Sequence, residues 1–425
     1  MLPERGTPIM MKRPASRTMN ILHAARVSTS DRLGRVLTLM EGQVARGHRV
    51  GLVAEAGGFG DAVEILEKFE PKLLLGLNWV PVGRYGVLRD VATWRSVLSR
   101  VRKLDLDVVH GHGATGGAYA RLIQGRRAVR VYTPYRGGGR LDGAISAQLE
   151  RLLLRRTELF LFQNTWLRDA FRSTVGKGIS IERIVHEGVA DSAFRPIEPA
   201  PHATDLIFSG ALRRTAGVHI LIEAIRLLAA DGRPVQVTIA GEGPERTALR
   251  TQASQCGLGH LVRFMGGTSA RQACAYGRLL VAPSLSEPLP EGLLEAAAAG
   301  IPVVTTNVGG ISEIFGPERG RLIAPGDAPG LARAIAASLS DLPAAAAAAQ
   351  VVQRQVRARF TADAMVEQVL RGYADAVAMR RWRLRQANSP SLTPDSGQSD
   401  SRETRPRPDW ISALMRERNE PREAV

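Results

Sequence analysis

From Met19 onward the chain alternates short runs rich in β-branched residues with longer amphipathic stretches, and that alternation limits the fold more than any other feature. The first unit reads MNILHAARV (19–27), LGRVLTLMEGQVARG (33–47) and HRVGLVAE (48–55), a strand, a helix and a strand. Gly47 is placed to close the helix as its C′ residue. The pattern goes on through DVVHGHG (107–113), GGAYARLIQG (116–125), VRVYTPY (129–135), LDGAISAQLERLLLRRT (141–157) and ELFLFQN (158–164). Parallel strands need long crossovers, and helical crossovers cover both faces of the sheet they serve. The expected class is α/β with parallel sheets.

FRPIEPAPHATD (194–205), with three prolines, separates this half from a second alternating run. That run holds LIFSGAL (206–212), HILIEAIRLLAADG (219–232), VQVTIAGEG (235–243), HLVRFMGG (260–267), LLVAPS (279–284), IPVVTTNVGG (301–310) and GRLIAPG (320–326). At 425 residues the chain exceeds one ordinary core, so two doubly wound domains are expected, with ligands at strand carboxyl ends facing a cleft. The division read from the sequence is a basic extension (1–18), an amino-terminal domain (19–200), a carboxyl-terminal domain (201–360), a helix packing back across the domains (361–384) and a tail (385–425) rich in Ser, Pro, Asp and Arg.

The formal charge is +16, and the excess lies mostly in the first 200 residues. A basic half fits nucleic acid, an anionic membrane or a phosphorylated ligand. Aromatic residues are only 5%, and no zinc-ligand spacing or RNA-binding aromatic motif occurs, so nucleic acid is set aside. The two cysteines, Cys256 and Cys274, make neither a disulfide framework nor a metal cluster, which fits the cytoplasm. No apolar run reaches the ~20 residues that span a bilayer. The segment VLRDVATWRSVLSRVRKLD (87–105) sets apolar residues at helical spacing among arginines, a composition for resting on anionic lipid or for an ordinary core-facing helix. Neither GEGPER (241–246) nor GATGG (113–117) completes Gly-x-Gly-x-x-Gly, so hydride transfer has little support.

SEPLPEGLLEAAAAG (286–300) carries Glu287, Glu291 and Glu295 four apart. Pro290 breaks any helix through all three, so the expected helix starts with Pro290 at N1, has Leu289 as its cap and ends at Gly300. Leu289 has no side-chain oxygen to satisfy the first-turn amides, leaving those around Gly292, Leu293 and Leu294 for an external anion. Glu295, one turn further in, can accept two hydrogen bonds from a vicinal diol such as a ribose. The competing reading, three solvated surface carboxylates, is countered by their position at the carboxyl edge of a parallel sheet. His110 and His112 end the strand in VHGHG, at the cleft edge; His-x-His without further ligands does not make a metal site.

With these residues in view, the chain resembles the retaining nucleotide-sugar glycosyltransferases of glycosyltransferase family 4, which have the two-domain GT-B fold. Glu287 and Glu295 match the family's Glu-x7-Glu signature, and Gly300-Ile-Pro302 and Gly309-Gly310-Ile-x-Glu313 follow its pattern. The resemblance implies that Glu295 binds the nucleotide ribose, that Glu287 contacts donor-sugar hydroxyls, and that the amides between them take phosphate oxygens. It also implies metal-independent hexosyl transfer with no cofactor beyond a UDP- or GDP-sugar co-substrate. The chain departs from the pattern where the family has Gly-Arg and Lys-Gly: the loop after Gly210 has Ala211 and Ala216 at those places. Arg213 and Arg214 are the candidates to supply the missing charge. Tyr135 stands where the family often has His, and VSTSDRLGRV (27–36) keeps only Gly34 of the first-strand glycine loop.

The resulting expectation is sugar transfer with retention, to a glycan or lipid-linked acceptor of cell-surface polysaccharide or glycolipid synthesis. Glu287, Tyr135 and His112 are the catalytic candidates, and the enzyme is placed in the cytoplasm with attachment to the inner face of the membrane. The alternative is a catalytically degenerate protein of the same fold acting as a binding or scaffold partner.

Overall fold

The computed structural model describes residues 17–27, 30–56, 60–81, 98–99, 101–123, 127–135, 143–287, 289–290 and 292–387. The basic extension up to residue 16, most of the 87–105 segment, Arg136 to Gly139, Glu291 and the tail from 388 lie outside them.

The amino-terminal half is one seven-stranded parallel sheet of β1 (Asn20–Val27), β2 (Arg49–Ala56), β3 (Leu77–Pro81), β4 (Val108–His112), β5 (Val129–Thr133), β6 (Leu159–Phe162) and β7 (Ile181–Ile184), in the order β3-β2-β1-β4-β5-β6-β7. The second half holds a five-stranded parallel sheet of β8 (Thr204–Ser209), β9 (Val237–Ala240), β10 (Val262–Met265), β11 (Gly277–Ala282) and β12 (Val303–Thr305), in the order β10-β9-β8-β11-β12. The β-branched runs therefore became strands buried on both faces, as parallel sheets demand. Three readings need adjusting. GRLIAPG is not a ladder strand: a short 3-10 turn ends at Arg321 and Ile323 makes one isolated bridge to Thr306. β3 and β7, short strands at the sheet's edges, were not among the runs singled out. Gly34 sits inside the helix Ser30–Ala45, exposed, and not in a loop after β1.

Pairing of β1 with β4 sets His23 opposite His110 and Ala25 opposite His112. On β4 the side chains of Val108, His110 and His112 share one face by the period-2 rule, and Val109 and Gly111 share the other. The second face is covered by the helix Gly113–Leu122 at very short range. A methyl group on Gly116 would come within 2.1 Å of the Ala24 carbonyl oxygen, and one on Gly111 within 2.4 Å of the Gly116 oxygen. Beside this contact Arg121, fully buried, makes two hydrogen bonds of 2.7 and 3.1 Å to Glu150 and lies over the Tyr132 ring.

The first face is covered by the helix Ala362–Ala387, which leaves the second domain and returns to the first. Met365, Val366, Val369, Tyr373 and Ala376 join Ile21, Leu39, Val108, Val131 and Leu161 in one core. Ion pairs Arg46–Asp363 (2.9 Å), Arg183–Asp375 (3.2 Å) and Arg380–Glu158 fasten it. The chain passes between the halves twice, and the two crossings touch through a bridge between Val189 and Thr361.

Gly116→Ala is expected to destabilise the protein by about 1–3 kcal/mol or more, because backbone and not a mobile side chain occupies the space. A urea-unfolding midpoint unchanged from wild type would refute this account of the helix contact.

Candidate functional site

The carboxyl ends of both sheets carry the residues singled out from the sequence. In the second domain, the chain leaves β11 through Pro283 and Ser284, and the Ser284 hydroxyl donates to Glu287 Oε2 at 3.0 Å. The Thr215 hydroxyl approaches Glu287 Oε1 at 3.5 Å from the loop that follows β8, and Leu285 N–H donates to the Thr215 carbonyl at 2.8 Å. Two loops from neighbouring strands thus fix one carboxylate beyond the strand ends.

The helix after Glu287 starts later than expected. It runs Leu293–Ala299, with Gly292 at its N-cap in the left-handed region (φ 78°) and Gly300 closing it at φ 76°. Pro290 is therefore not N1 and Leu289 is not the cap; the turn uses glycine because a positive φ strains any side chain. Gly292 lies against Ser209 at the end of β8, where an added methyl would stand 3.3 Å from its hydroxyl. Like Leu289, Gly292 offers no side-chain cap, so the opening amides of the helix are not satisfied from that residue. Glu295 projects from the first turn and its charge is felt at Cys274, whose thiol is pushed up to about 12, first by burial and then by this carboxylate.

Gly210 follows β8, and its N–H donates to the Ala240 carbonyl at 3.1 Å. Beyond it Arg213 and Arg214 are exposed, the latter opening a 3-10 turn. Neither side chain makes a hydrogen bond or ion pair among the described residues. Arg214 lies close enough to His219 to help depress that imidazole's pKa, after burial.

The first domain presents a buried histidine trio. His23 Nδ1 meets His112 Nε2 at 2.9 Å, and His23 Nε2 meets Gln43 Oε1 at 2.8 Å. His110 is held by the Tyr373 hydroxyl (2.6 Å) and the Thr133 hydroxyl (2.7 Å), and His112 Nδ1 by the Tyr135 hydroxyl (3.1 Å). The trio's ligand atoms lie within 4.8 Å of one another, close enough for a shared metal ion. Every ring nitrogen already has a protein partner, so the geometry is that of a hydrogen-bond network. Burial drives the His23 pKa down to about 4, partly opposed by its Gln43 hydrogen bond, and drives those of His110 and His112 well below the ordinary value, where the neighbouring rings add repulsion. Beside the trio a pocket is lined by Arg35, Gln163, Glu187, Tyr135 and Met365, with Arg35 paired to Glu187 at 2.7 Å.

The halves meet at these same edges. Glu313, from the helix Ile311–Phe315 after β12, accepts from the backbone N–H of Thr165 at 2.8 Å and from its hydroxyl, at the start of the helix that follows β6. His186 Nδ1 lies 3.4 Å from the same carboxylate, Arg359 reaches His186 Nε2 at 3.2 Å, and Asn164 packs on Gly310.

The structure thus gathers Glu287, Gly210 and Gly292 at one sheet edge, with Leu293, Leu294 and Glu295 in the helix beyond, and His112 with Tyr135 at the other edge. Gly34 belongs to a helix. Sequence reasoning missed His23, Gln43 and Thr215. For His23 a signal existed, since a strand-borne histidine in β1 pairs with the His-x-His strand.

Residues 34–185 match the family described as Glycosyl transferase 4-like domain, and residues 191–354 match Glycosyl transferases group 1. Glycogen synthase of Mycobacterium tuberculosis is 32% identical over 238 residues, 54% of this chain and 56% of that protein, so the chain spans about half the length of that relative. Among solved structures, the Anabaena protein HepE in complex with UDP and glucose matches with a TM-score of 0.69 at 18% identity, over 84% of this chain and 100% of that one. A glycosyltransferase from Rickettsia africae matches with a TM-score of 0.70 at 14% identity, over 85% and 99%. These likenesses establish the GT-B fold.

The histidine trio makes the fold acid-sensitive. Above about pH 6.5 folded and unfolded rings are both neutral; as pH falls toward about 4 the unfolded chain binds protons that the folded one refuses. Stability should fall by up to about 1.4 kcal/mol per pH unit for each ring. Urea midpoints between pH 7.5 and 5 should fall less steeply in His23→Asn than in wild type; equal slopes would exclude this source.

Proposed function

The chain belongs to the glycosyltransferases of family 4 type, joining a 4-like domain to a group 1 domain, and from that premise we propose that it transfers a sugar with retention from a nucleotide-sugar donor. The acceptor is a glycan or lipid-linked saccharide of polysaccharide or glycolipid synthesis. The observation carrying this reading is Glu287, held by Ser284 and Thr215 between two strand-end loops and separated from Glu295 by seven residues, the family's signature spacing.

In this reading Glu295 accepts hydrogen bonds from the ribose diol and Glu287 from hydroxyls of the donor sugar. The C–O bond to the diphosphate breaks as the acceptor hydroxyl attacks the same face, and a leaving phosphate oxygen takes the acceptor's proton. The protein's task is to stabilise charge growing on the diphosphate, since one lost donor of this kind costs about 10²- to 10³-fold in rate. The amides of Gly292, Leu293 and Leu294 serve that end, Gly210 lets the diphosphate approach the backbone, and Arg213 and Arg214 replace the two cations absent at Ala211 and Ala216. No metal ion is required. Tyr135 orients the donor sugar by a hydrogen bond at its phenolic hydroxyl, and the neutral His112 ring behind it holds that hydroxyl in place. UDP is the first nucleotide to test, since the HepE structure holds UDP and glucose.

Calorimetric titration should show binding of one of UDP, GDP and ADP; binding of none would overturn the reading in favour of a scaffold of the same fold. Replacing Arg213 and Arg214 together by Ala should weaken nucleoside diphosphate about 10- to 100-fold and leave the free nucleoside nearly unchanged. Equal losses for both ligands would refute the role given to the arginines.

We place the enzyme in the cytoplasm, against the inner face of the membrane through its basic half. No single helix among the described residues is long and apolar enough to cross a membrane. Flotation with anionic vesicles should succeed at low salt and fail at high salt; absence of binding at low salt would remove this attachment.

A further inference from the structure

We propose that His23 and Gln43 are positioning residues for the cleft, holding the His112 imidazole neutral with its proton on Nε2 and its Nδ1 lone pair turned to the Tyr135 hydroxyl. The inference rests on the reading of His112 and Tyr135 as residues of the transfer site, and adds to it what lies behind them.

The chain of contacts is continuous and short. Gln43 Oε1 stands 2.8 Å from His23 Nε2, His23 Nδ1 stands 2.9 Å from His112 Nε2, and His112 Nδ1 stands 3.1 Å from the Tyr135 oxygen. A carboxamide oxygen only accepts, so His23 must carry its proton on Nε2. Its Nδ1 then has a lone pair, which fits a proton on His112 Nε2 and leaves His112 Nδ1 to accept from Tyr135. Between the two facing ring nitrogens there is room for one proton. Gln43 and His23 are fully buried and His112 nearly so, so water cannot substitute for a missing partner.

Direction in this chain is set at its inner end. Turning the Gln43 amide over would present its NH2 to His23 and move every proton one step, placing hydrogen on His112 Nδ1 and making Tyr135 accept from it. The oxygen is the amide atom that faces His23, at 2.8 Å from its Nε2, while the buried Gln43 Nε2 has no hydrogen-bond partner among the described residues. His110 is outside this chain, since its two nitrogens go to Tyr373 and Thr133.

The test is long-range ¹H–¹⁵N correlation on the full chain labelled with [¹⁵N]histidine, with the rings assigned by single substitutions. His23 and His112 should both appear as neutral rings protonated on Nε2 from pH 8 to about 5. In Gln43→Leu, which removes the anchoring oxygen, the His112 ring should populate both tautomers, whereas Thr133→Val, which disturbs His110 alone, should leave it in one. A proton on His112 Nδ1 in the wild type, or the same response to both variants, would overturn the proposal. If Gln43→Leu does not fold, the wild-type tautomer still decides. With whichever of UDP-glucose or GDP-mannose is turned over, Gln43→Leu should lower kcat/KM about tenfold, the loss of one oriented hydrogen bond. The predicted tautomer in a protein that binds no nucleotide would refute the transfer reading while upholding the proton arrangement.

Discussion

Everything proposed for the cleft depends on the two sheets being held edge to edge, and one carboxylate does much of that holding. Glu313 reaches from the second domain to the opening amide of a helix in the first, where the unsatisfied N–H groups and the helix dipole both favour an anion. Asn164 satisfies another amide of the same helix from within, donated by Leu167 at 2.7 Å, while its flank presses on Gly310. The Gly309-Gly310-Ile-x-Glu313 motif thus has a mechanical reading: a glycine that lets the domains touch, and a glutamate one turn later that fastens them. His186 and Arg359 surround the same carboxylate near the points where the chain crosses between halves.

Against that frame, the donor side shows how a loop can change its charges without changing its path. Thr215 and Leu285 tie the loop after β8 to the loop after β11 by backbone and side-chain bonds that involve neither Ala211 nor Ala216. Main-chain bonds from Arg213 to Ala211 and from Ala216 to Arg213 shape the rest of the loop, with Ala216 buried in the domain core. Arg213 and Arg214 are exposed, long and without internal partners among the described residues, which is the condition in which a guanidinium can be recruited by a phosphate at little cost in broken contacts.

Much of this was legible in the sequence, and the failures have physical causes. The central strands and the helices between them announced themselves by periodicity, because a strand buried on both faces must be apolar throughout. β3 and β7 lie at the sheet edges, where fewer neighbours constrain composition, and their signal was correspondingly weak. GRLIAPG looked like a strand because its Leu and Ile are buried or half-buried, yet only one bridge forms. The start of the Leu293–Ala299 helix differs from the expected one by three residues because Pro290 satisfies the rules for N1, whereas the left-handed turn at Gly292 (φ 78°) that actually opens the helix has no local mark beyond the glycine itself. Gln43 was illegible for a similar reason: nothing local marks a glutamine in an amphipathic helix as the end of a histidine chain.

The returning helix Ala362–Ala387 has a consequence for how the protein is made. Its residues complete the core of the first domain, and Tyr373 closes the hydrogen bonding of His110. During synthesis the first sheet therefore emerges with one face only partly covered, by the helix Ser30–Ala45, and His110 without its Tyr373 partner, and it stays so until the second domain has been translated. The amino-terminal domain is first in order and last to be finished. Its assembly is a closing step that draws both halves together, so the cleft and the domain that borders it come into being at the same moment.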